Sequence, residues 1–184
     1  MPVREVIRMG HPTLRRVADE VDPATIKGEE IQSLIQDLFD TCAVQKGLGI
    51  AAPQINVPKQ VFIVEVPEYN ERYGKLIPFP KTVVINPKIT VLDEQTQGFW
   101  EGCLSVPGLK GYVRRPRKIR LEYYDEKGEQ KSVEAEKLGA VVIQHEADHV
   151  FGKLFVDRAE PGKLAFLEEF EHFKLAGTEP VLDD

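Results

Sequence analysis

The sequence predicts an α+β fold, with mainly antiparallel β-sheets packed around one central helix and further helices toward the N- and C-terminal ends. Three observations carry this. Strand-like stretches between residues 60 and 135 follow one another with no helix between them, the pattern of antiparallel sheet rather than of βαβ units. Helix-period apolar patterns flank them at residues 28–46, 138–151 and 161–176. The middle one contains His145-Glu146-Ala147-Asp148-His149, and residues four apart share one face of a helix. No internal repeat or low-complexity segment interrupts the chain, so one domain is expected over residues 1–176 and a flexible tail over 177–184.

Residues 3–9 read as a short strand or extended arm. Gly10-His11-Pro12-Thr13 turns the chain into a short helical piece, with His11 as a surface or packing residue. Residues 28–46 form the first clear helix, because Ile31, Leu34, Ile35, Leu38 and Phe39 recur at helical spacing and give it one apolar face. Cys42 follows one turn on as a small core residue, and Gly47 is placed to stop the helix. The next stretch, Gly47-Leu48-Gly49-Ile50-Ala51-Ala52, has the letters of a dinucleotide fingerprint. Its context is wrong, since it follows a helix and runs into Pro53, whereas the fingerprint follows a strand and opens a helix. The small residues instead suggest backbone in close approach to a strand or a ligand.

Residues 60–66 are a strand, 67–80 a long loop, and 82–92 a strand pair or one bent strand. Residues 97–107 look irregular and carry Cys103 beside Gly102. Residues 118–124 and 129–135 alternate as strands around Asp125-Glu126-Lys127-Gly128, a hairpin turn. The helix over 138–151 ends at Gly152. Pro161 opens a last helix, with Leu164, Phe166, Leu167, Phe170 and Phe173 inside and Glu168, Glu169, Glu171 and His172 in solvent.

The chain has 184 residues, 42% hydrophobic and 29% charged, the balance of a globular protein in water. A net charge of −6 argues against a nucleic-acid-binding surface as its main function. Its two cysteines, Cys42 and Cys103, make no disulfide framework and fit a reducing compartment. No apolar run is long enough to span a membrane, and the N-terminus has no signal core. The expected location is the cytoplasm, or an organelle matrix if the chain is processed, and the expected state a monomer.

The central helix is where chemistry concentrates. His145 and His149 can hold a metal ion between them, and Glu146 beside them can take a proton from a water on that ion. A catalytic tetrahedral site needs a third protein ligand and one open position. Two residues qualify by type: Glu168, with 18 residues between it and His149, and Cys103 far upstream. Spacing leaves both open. Glu168 would make the chain a zinc endopeptidase using His145, His149 and Glu168. A closed, structural metal site in a binding protein is a further alternative, against which the carboxylate of Glu146 argues. Leu138, Val141 and Val142 lie one and two turns before His145 on its side of the helix, as candidates to line an apolar pocket.

Three segments, Gly47-Leu48-Gly49-Ile50-Ala51-Ala52-Pro53-Gln54, Glu101-Gly102-Cys103-Leu104-Ser105 and Gln144-His145-Glu146-Ala147-Asp148-His149, resemble in order the three signature motifs of the peptide deformylases. Gly10-His11-Pro12-Thr13-Leu14-Arg15 resembles the N-terminal segment of that family, and the last helix its bacterial and organellar type. The resemblance implies a metal-dependent hydrolase that removes the formyl group from formyl-methionyl nascent peptides near the ribosome. It implies Cys103, His145 and His149 as metal ligands and Glu146 as general acid and base. It gives the Gln54 side chain and the Leu104 backbone N–H the developing oxyanion, and sets the backbone of Gly49 against the peptide. Leu138, Val141 and Val142 would receive the methionine side chain. The implied metal is one divalent ion, Fe2+, although Zn2+, Ni2+ or Co2+ suits the same donors. Glu101 carries no implied role; its charge suggests a pair with Arg114 or Arg115.

Overall fold

A computed structural model describes residues 3–70 and 74–173. Its main sheet is antiparallel throughout, in the order β1 (Gly49–Ala51), β2 (Val61–Val66), β5 (Phe79–Cys103), β6 (Val106–Tyr124), β7 (Gln130–Glu136), with β8 (Ala159–Phe166) also paired to β6. Strands β3 (Tyr69–Asn70) and β4 (Gly74–Lys75) form a separate small hairpin. The described residues also form three α-helices, α1 (Glu29–Gln45), α2 (Lys137–Val150) and α3 (Leu167–His172), and short 3₁₀ turns. The α+β class, the antiparallel sheet and the central helix are as the sequence predicts.

The core lies on both faces of β2. Phe62, Val64 and Val66 point toward α2 and pack with Ile119, Leu121, Ala140, Ile143, Ala147 and Val150. Val61 and Ile63 point the other way and pack with Ile31, Leu34, Leu38 and Ile50 around α1. A strand buried on both faces reads as a continuous apolar run, which is why residues 61–64 show no alternation. The helix α2 is buried nearly all round, so its polar side chains need partners within the protein.

Several details depart from the sequence reading. The left-handed residue ending α1 is Lys46 (φ 54°), not Gly47. Gly47 is required instead by close approach: a Cβ there would lie 3.1 Å from the Gly49 carbonyl oxygen and 3.3 Å from Cys42 Sγ. The stretch 67–80 is not wholly loop, since it holds the β3–β4 hairpin and the start of β5. Residues 82–92 belong to one bent strand, and β5 continues to Cys103. Cys103 therefore ends a strand at a tight turn, paired with Val106, instead of lying in an irregular segment. The glycines that suggested irregularity mark crossings: the Tyr112 ring lies over Gly98 and the Lys110 side chain over Gly102.

The largest correction concerns the C-terminal region. Pro161 opens no helix; residues 159–166 form β8, and helix begins only at Leu167. Gly111 on β6 leaves room for Leu164 and Phe155, so β8 can pair closely there. Pairing along a waiting sheet edge outweighs local helical spacing. Leu164 and Phe166 are consequently exposed, as is Phe173, while Phe170 meets the ring of Trp100 and Phe173 that of its neighbour His172. The end of the predicted helix and the tail, residues 174–184, lie outside the described residues.

The N-terminal arm is extended and unpaired by strands. It donates from Ile7 N to Gln54 O (2.8 Å) and from Met9 N to Ser105 O (2.7 Å). His11 caps the short 3₁₀ turn Pro12–Arg15, its Nδ1 accepting from Thr13 N.

Candidate metal centre

Helix α2 presents His145 and His149 on one face, and the end of β5 brings Cys103 to meet them. The ligand atoms of these three residues all lie within 4.8 Å of one another. Cys103 Sγ is 3.3 Å from His149 Nε2. His145 Nδ1 meets Glu101 Oε2 at 2.8 Å. The Glu101 carboxyl is held down, at about 2, because hydrogen bonds from Arg115 and His145 overcome the opposing effect of burial. As a carboxylate it only accepts, so His145 carries its hydrogen on Nδ1 and keeps the Nε2 lone pair for a cation.

Proton affinities point the same way. Burial works against charge on His145, yet its hydrogen bonds to Cys103 and Glu101 raise its pKa well above that of an ordinary histidine. Burial, then the neighbouring His145 charge, drives His149 well below it. Thiol and two imidazoles thus form a donor set in which a proton takes the place a divalent cation would hold. The residues fit such an ion: one soft sulfur, two imidazole nitrogens, and one imidazole oriented by a carboxylate. Glu168 is exposed on α3 and stands outside this group.

Glu146 is 4% exposed, and burial pushes its carboxyl up to about 7. Its Oε2 is buried with no hydrogen-bond partner among the described residues. Its side chain lies against the Gly49 backbone, where an added Cβ would stand 2.8 Å from Glu146 Cγ and 2.9 Å from Oε1. Gln54 is 2% exposed. Its Oε1 accepts from Ala51 N at 2.9 Å, and its Nε2 lies 3.5 Å from Cys103 Sγ and 3.2 Å from Ser105 Oγ. Leu104 occupies the turn directly after Cys103.

Most of these groups open onto one cleft of about 830 Å³, with His149 buried behind it. Gly49, Gln54, Cys103, Leu104, His145 and Glu146 line one part of it, and Leu138, Val141 and Val142 of α2 line another. Val142 also belongs to the core beneath, with Leu138 packed on it. The wall of the cleft and the surface of the core are here the same side chains.

Beneath the ligands runs a buried chain of charges of which sequence reading suggested only the Glu101 link. Arg115 grips Glu101 with Nε to Oε1 (2.6 Å) and Nη2 to Oε2 (2.9 Å), and reaches Asp148 Oδ2 with Nη1 (2.8 Å). Arg158 closes the far end on Asp148, at 2.7 and 2.6 Å. Of the two partners suggested for Glu101, Arg115 is the one present; Arg114 pairs with Glu160. Glu101 is two residues before Cys103 on the same strand, although the pairing register shifts between them. Asp148 is three residues after His145 in a buried helix and requires a cation. Those were the legible signals.

Residues 3–165 match the sequence model of the family described as polypeptide deformylase. A peptide deformylase of Leptospira biflexa is 43% identical over 164 residues, covering 89% of this chain and 92% of that protein. Peptide deformylase 1 of Bordetella pertussis is 43% identical over 156 residues, covering 85% and 87%. Among solved structures, the class I type b peptide deformylase of Acinetobacter baumannii with Met-Ala-Ser bound has a TM-score of 0.81 at 32% identity, covering 85% of this chain and 98% of that one. A peptide deformylase from Thermotoga maritima has a TM-score of 0.76 at 31% identity, covering 88% and 100%.

Proposed function

Because the chain belongs to the peptide deformylase family, and is thereby a hydrolase of N-terminal formyl groups, we propose that it deformylates formyl-methionyl nascent peptides at the Cys103–His145–His149 centre. The observation that supports this most is a buried Glu146 carboxylate oxygen, without a hydrogen-bond partner among the described residues, beside that donor set.

Cys103 Sγ, His145 Nε2 and His149 Nε2 would hold one divalent metal. When bound, that ion supplies Lewis-acid chemistry, lowering the pKa of a coordinated water toward ~7. Glu146 takes the proton as the water oxygen bonds to the formyl carbon. Burial raises its affinity for that proton above that of an ordinary carboxylate, as a general base requires. The carbonyl electrons move to oxygen, and the Gln54 Nε2–H and Leu104 backbone N–H receive that charge. Such a donor is typically worth ~10²–10³ in rate. Glu146 then gives its proton to the nitrogen as the carbon–nitrogen bond breaks, releasing formate and a free α-amine. Gly49 allows Glu146 this position because it has no Cβ. Leu138, Val141 and Val142 exclude water from the methionine side chain.

The proposed metal is Fe2+, on the strength of family resemblance, with Zn2+, Ni2+ or Co2+ fitting the same donors. Action on nascent chains sets the enzyme beside the ribosome, in the cytoplasm or an organelle matrix. A relative carrying bound Met-Ala-Ser supports a peptide product in this cleft. The test is product analysis with formyl-Met-Ala-Ser and anaerobically prepared, iron- or nickel-loaded protein. Formate and intact Met-Ala-Ser are expected. Cleavage within the tripeptide, with no formate, would overturn the reading.

A further inference from the structure

Gln54 is a long, rotatable side chain to which the proposed reaction gives a single orientation. We propose that Ser105, strapped in place by the N-terminal arm, is the positioning residue that fixes the Gln54 amide toward the oxyanion. This rests on the role given to Gln54 above and adds what holds it there.

The amide has two ends with opposite needs. Oε1 accepts from Ala51 N at 2.9 Å, which anchors the oxygen on a backbone donor. A flipped amide would set its NH₂ against that N–H and turn its oxygen toward the Cys103 sulfur. The anchor alone still leaves the amide plane free to swing about one hydrogen bond. The second fixed point is Ser105 Oγ, which accepts from Nε2 at 3.2 Å. Ser105 is fully buried and Gln54 2% exposed, so no bulk water stands in for either partner. With one N–H held by Ser105, the other is directed to the Cys103 side, where Nε2 lies 3.5 Å from Sγ.

The backbones of the two residues are tied as well. Gln54 lies on the turn Ala52–Ile55, and Ser105 on the turn between β5 and β6, 51 residues away. The arm bridges them, with Ile7 N on Gln54 O and Met9 N on Ser105 O. Residues two apart on an extended chain direct their N–H groups the same way, ~6.6 Å apart. The arm is thus a ruler laid across the two segments that must stay in register.

The experiment is a kinetic double-mutant cycle on the metal-loaded enzyme with formyl-Met-Ala-Ser, using Ser105→Ala, Gln54→Ala and the pair. Misplacing a reacting group by ~1 Å can cost ~10²-fold, so Ser105→Ala is expected to lower kcat by ~10- to 100-fold with KM and metal content unchanged. In the Gln54→Ala background the same change should cost less than about twofold, because its target is gone. Met9→Pro, which removes the N–H that holds Ser105 O, should follow the same pattern more weakly. A merely structural Ser105 would lower Tm and add its full effect in both backgrounds, which would overturn the proposal. So would an unchanged kcat in Ser105→Ala alongside a defective Gln54→Ala, and then this inference alone fails. A fully active Gln54→Ala would overturn the Gln54 assignment together with it.

Discussion

Removing the cation beneath the ligands, by Arg115→Met, tests whether the buried charge chain supports the metal centre. The Arg115 side chain is 2% exposed and makes three charge-assisted hydrogen bonds, two to Glu101 and one to Asp148. Methionine fills much of the volume but leaves both carboxylates facing a thioether. Asp148 keeps Arg158, whereas among the described residues Glu101 keeps His145 alone. Breaking a buried pair by removing one partner costs ~3–5 kcal/mol. In a chain of this size 1 kcal/mol moves Tm by ~2–4 °C, so a fall of roughly 10 °C is expected. The loss should extend to the metal, since His145 is oriented by Glu101 and removal of such an outer partner typically weakens affinity by ~10- to 100-fold. Thermal melts of metal-loaded protein, followed by competition against a chelator, read both quantities. A variant that melts within about two degrees of the parent and holds metal equally well would refute the reasoning. Replacing Glu101, Arg115 and Asp148 together by apolar residues should cost less stability than Arg115→Met alone, because no buried carboxylate is then stranded and Arg158, released from Asp148, is 41% exposed.

Three further outcomes follow. Gly49→Ala places a Cβ 2.8 Å from Glu146 Cγ and 2.9 Å from the Ile63 carbonyl oxygen; steady-state kinetics should show kcat reduced by ~10- to 100-fold with metal content retained, and an unaltered kcat would count against the placement of Glu146. In metal-stripped protein at pH 8, a thiol reagent followed by mass spectrometry should label Cys103 and spare Cys42. Cys42 is 8% exposed and its thiol is pushed up to about 12, chiefly by burial, so the thiolate is present only far above the assay pH; rapid labelling of both would contradict this. Val142→Phe fills the α2 wall of the cleft and should raise KM for formyl-Met peptides by roughly tenfold, as adding bulk to a packed site costs ~1–3 kcal/mol; unchanged kinetics would remove Val142 from the pocket.

What the sequence reveals here depends on how local the cause is. His145, Glu146 and His149 sit within a single helix turn and a half, and helical geometry alone brings them together. The apolar face of α1 and the Asp125–Gly128 hairpin turn are local in the same way, the latter held by Asp125 accepting from Lys127 N and Glu129 N. Cys103 required a resemblance to place it, because the contact spans 46 residues and depends on β5 running to that point. β8 was hidden for a related reason. Leu164, Phe166, Leu167 and Phe170 have helical spacing, and only the partner strand, with its glycine at 111, makes residues 159–166 extended. Asp148 escaped notice, and Arg115 stood only as one of two partners for Glu101, because a buried charge is indistinguishable from a surface one until its partner's position is known. Glu101 was seen as charge seeking a partner, but its grip on His145 Nδ1 depends on the course of β5 near Cys103, where the pairing register shifts.

The most direct measurement is formate release by Glu146→Gln beside the parent enzyme, with metal counted in both. Glutamine keeps the size of the side chain and its place against Gly49, while removing its ability to take a proton. The expected result is one metal ion per chain in each protein and a kcat lower by ~10²- to 10⁴-fold in the variant. Formate release at the parental rate with the metal still bound would contradict the assignment of Glu146 as the base, and with it the proposed chemistry of the centre.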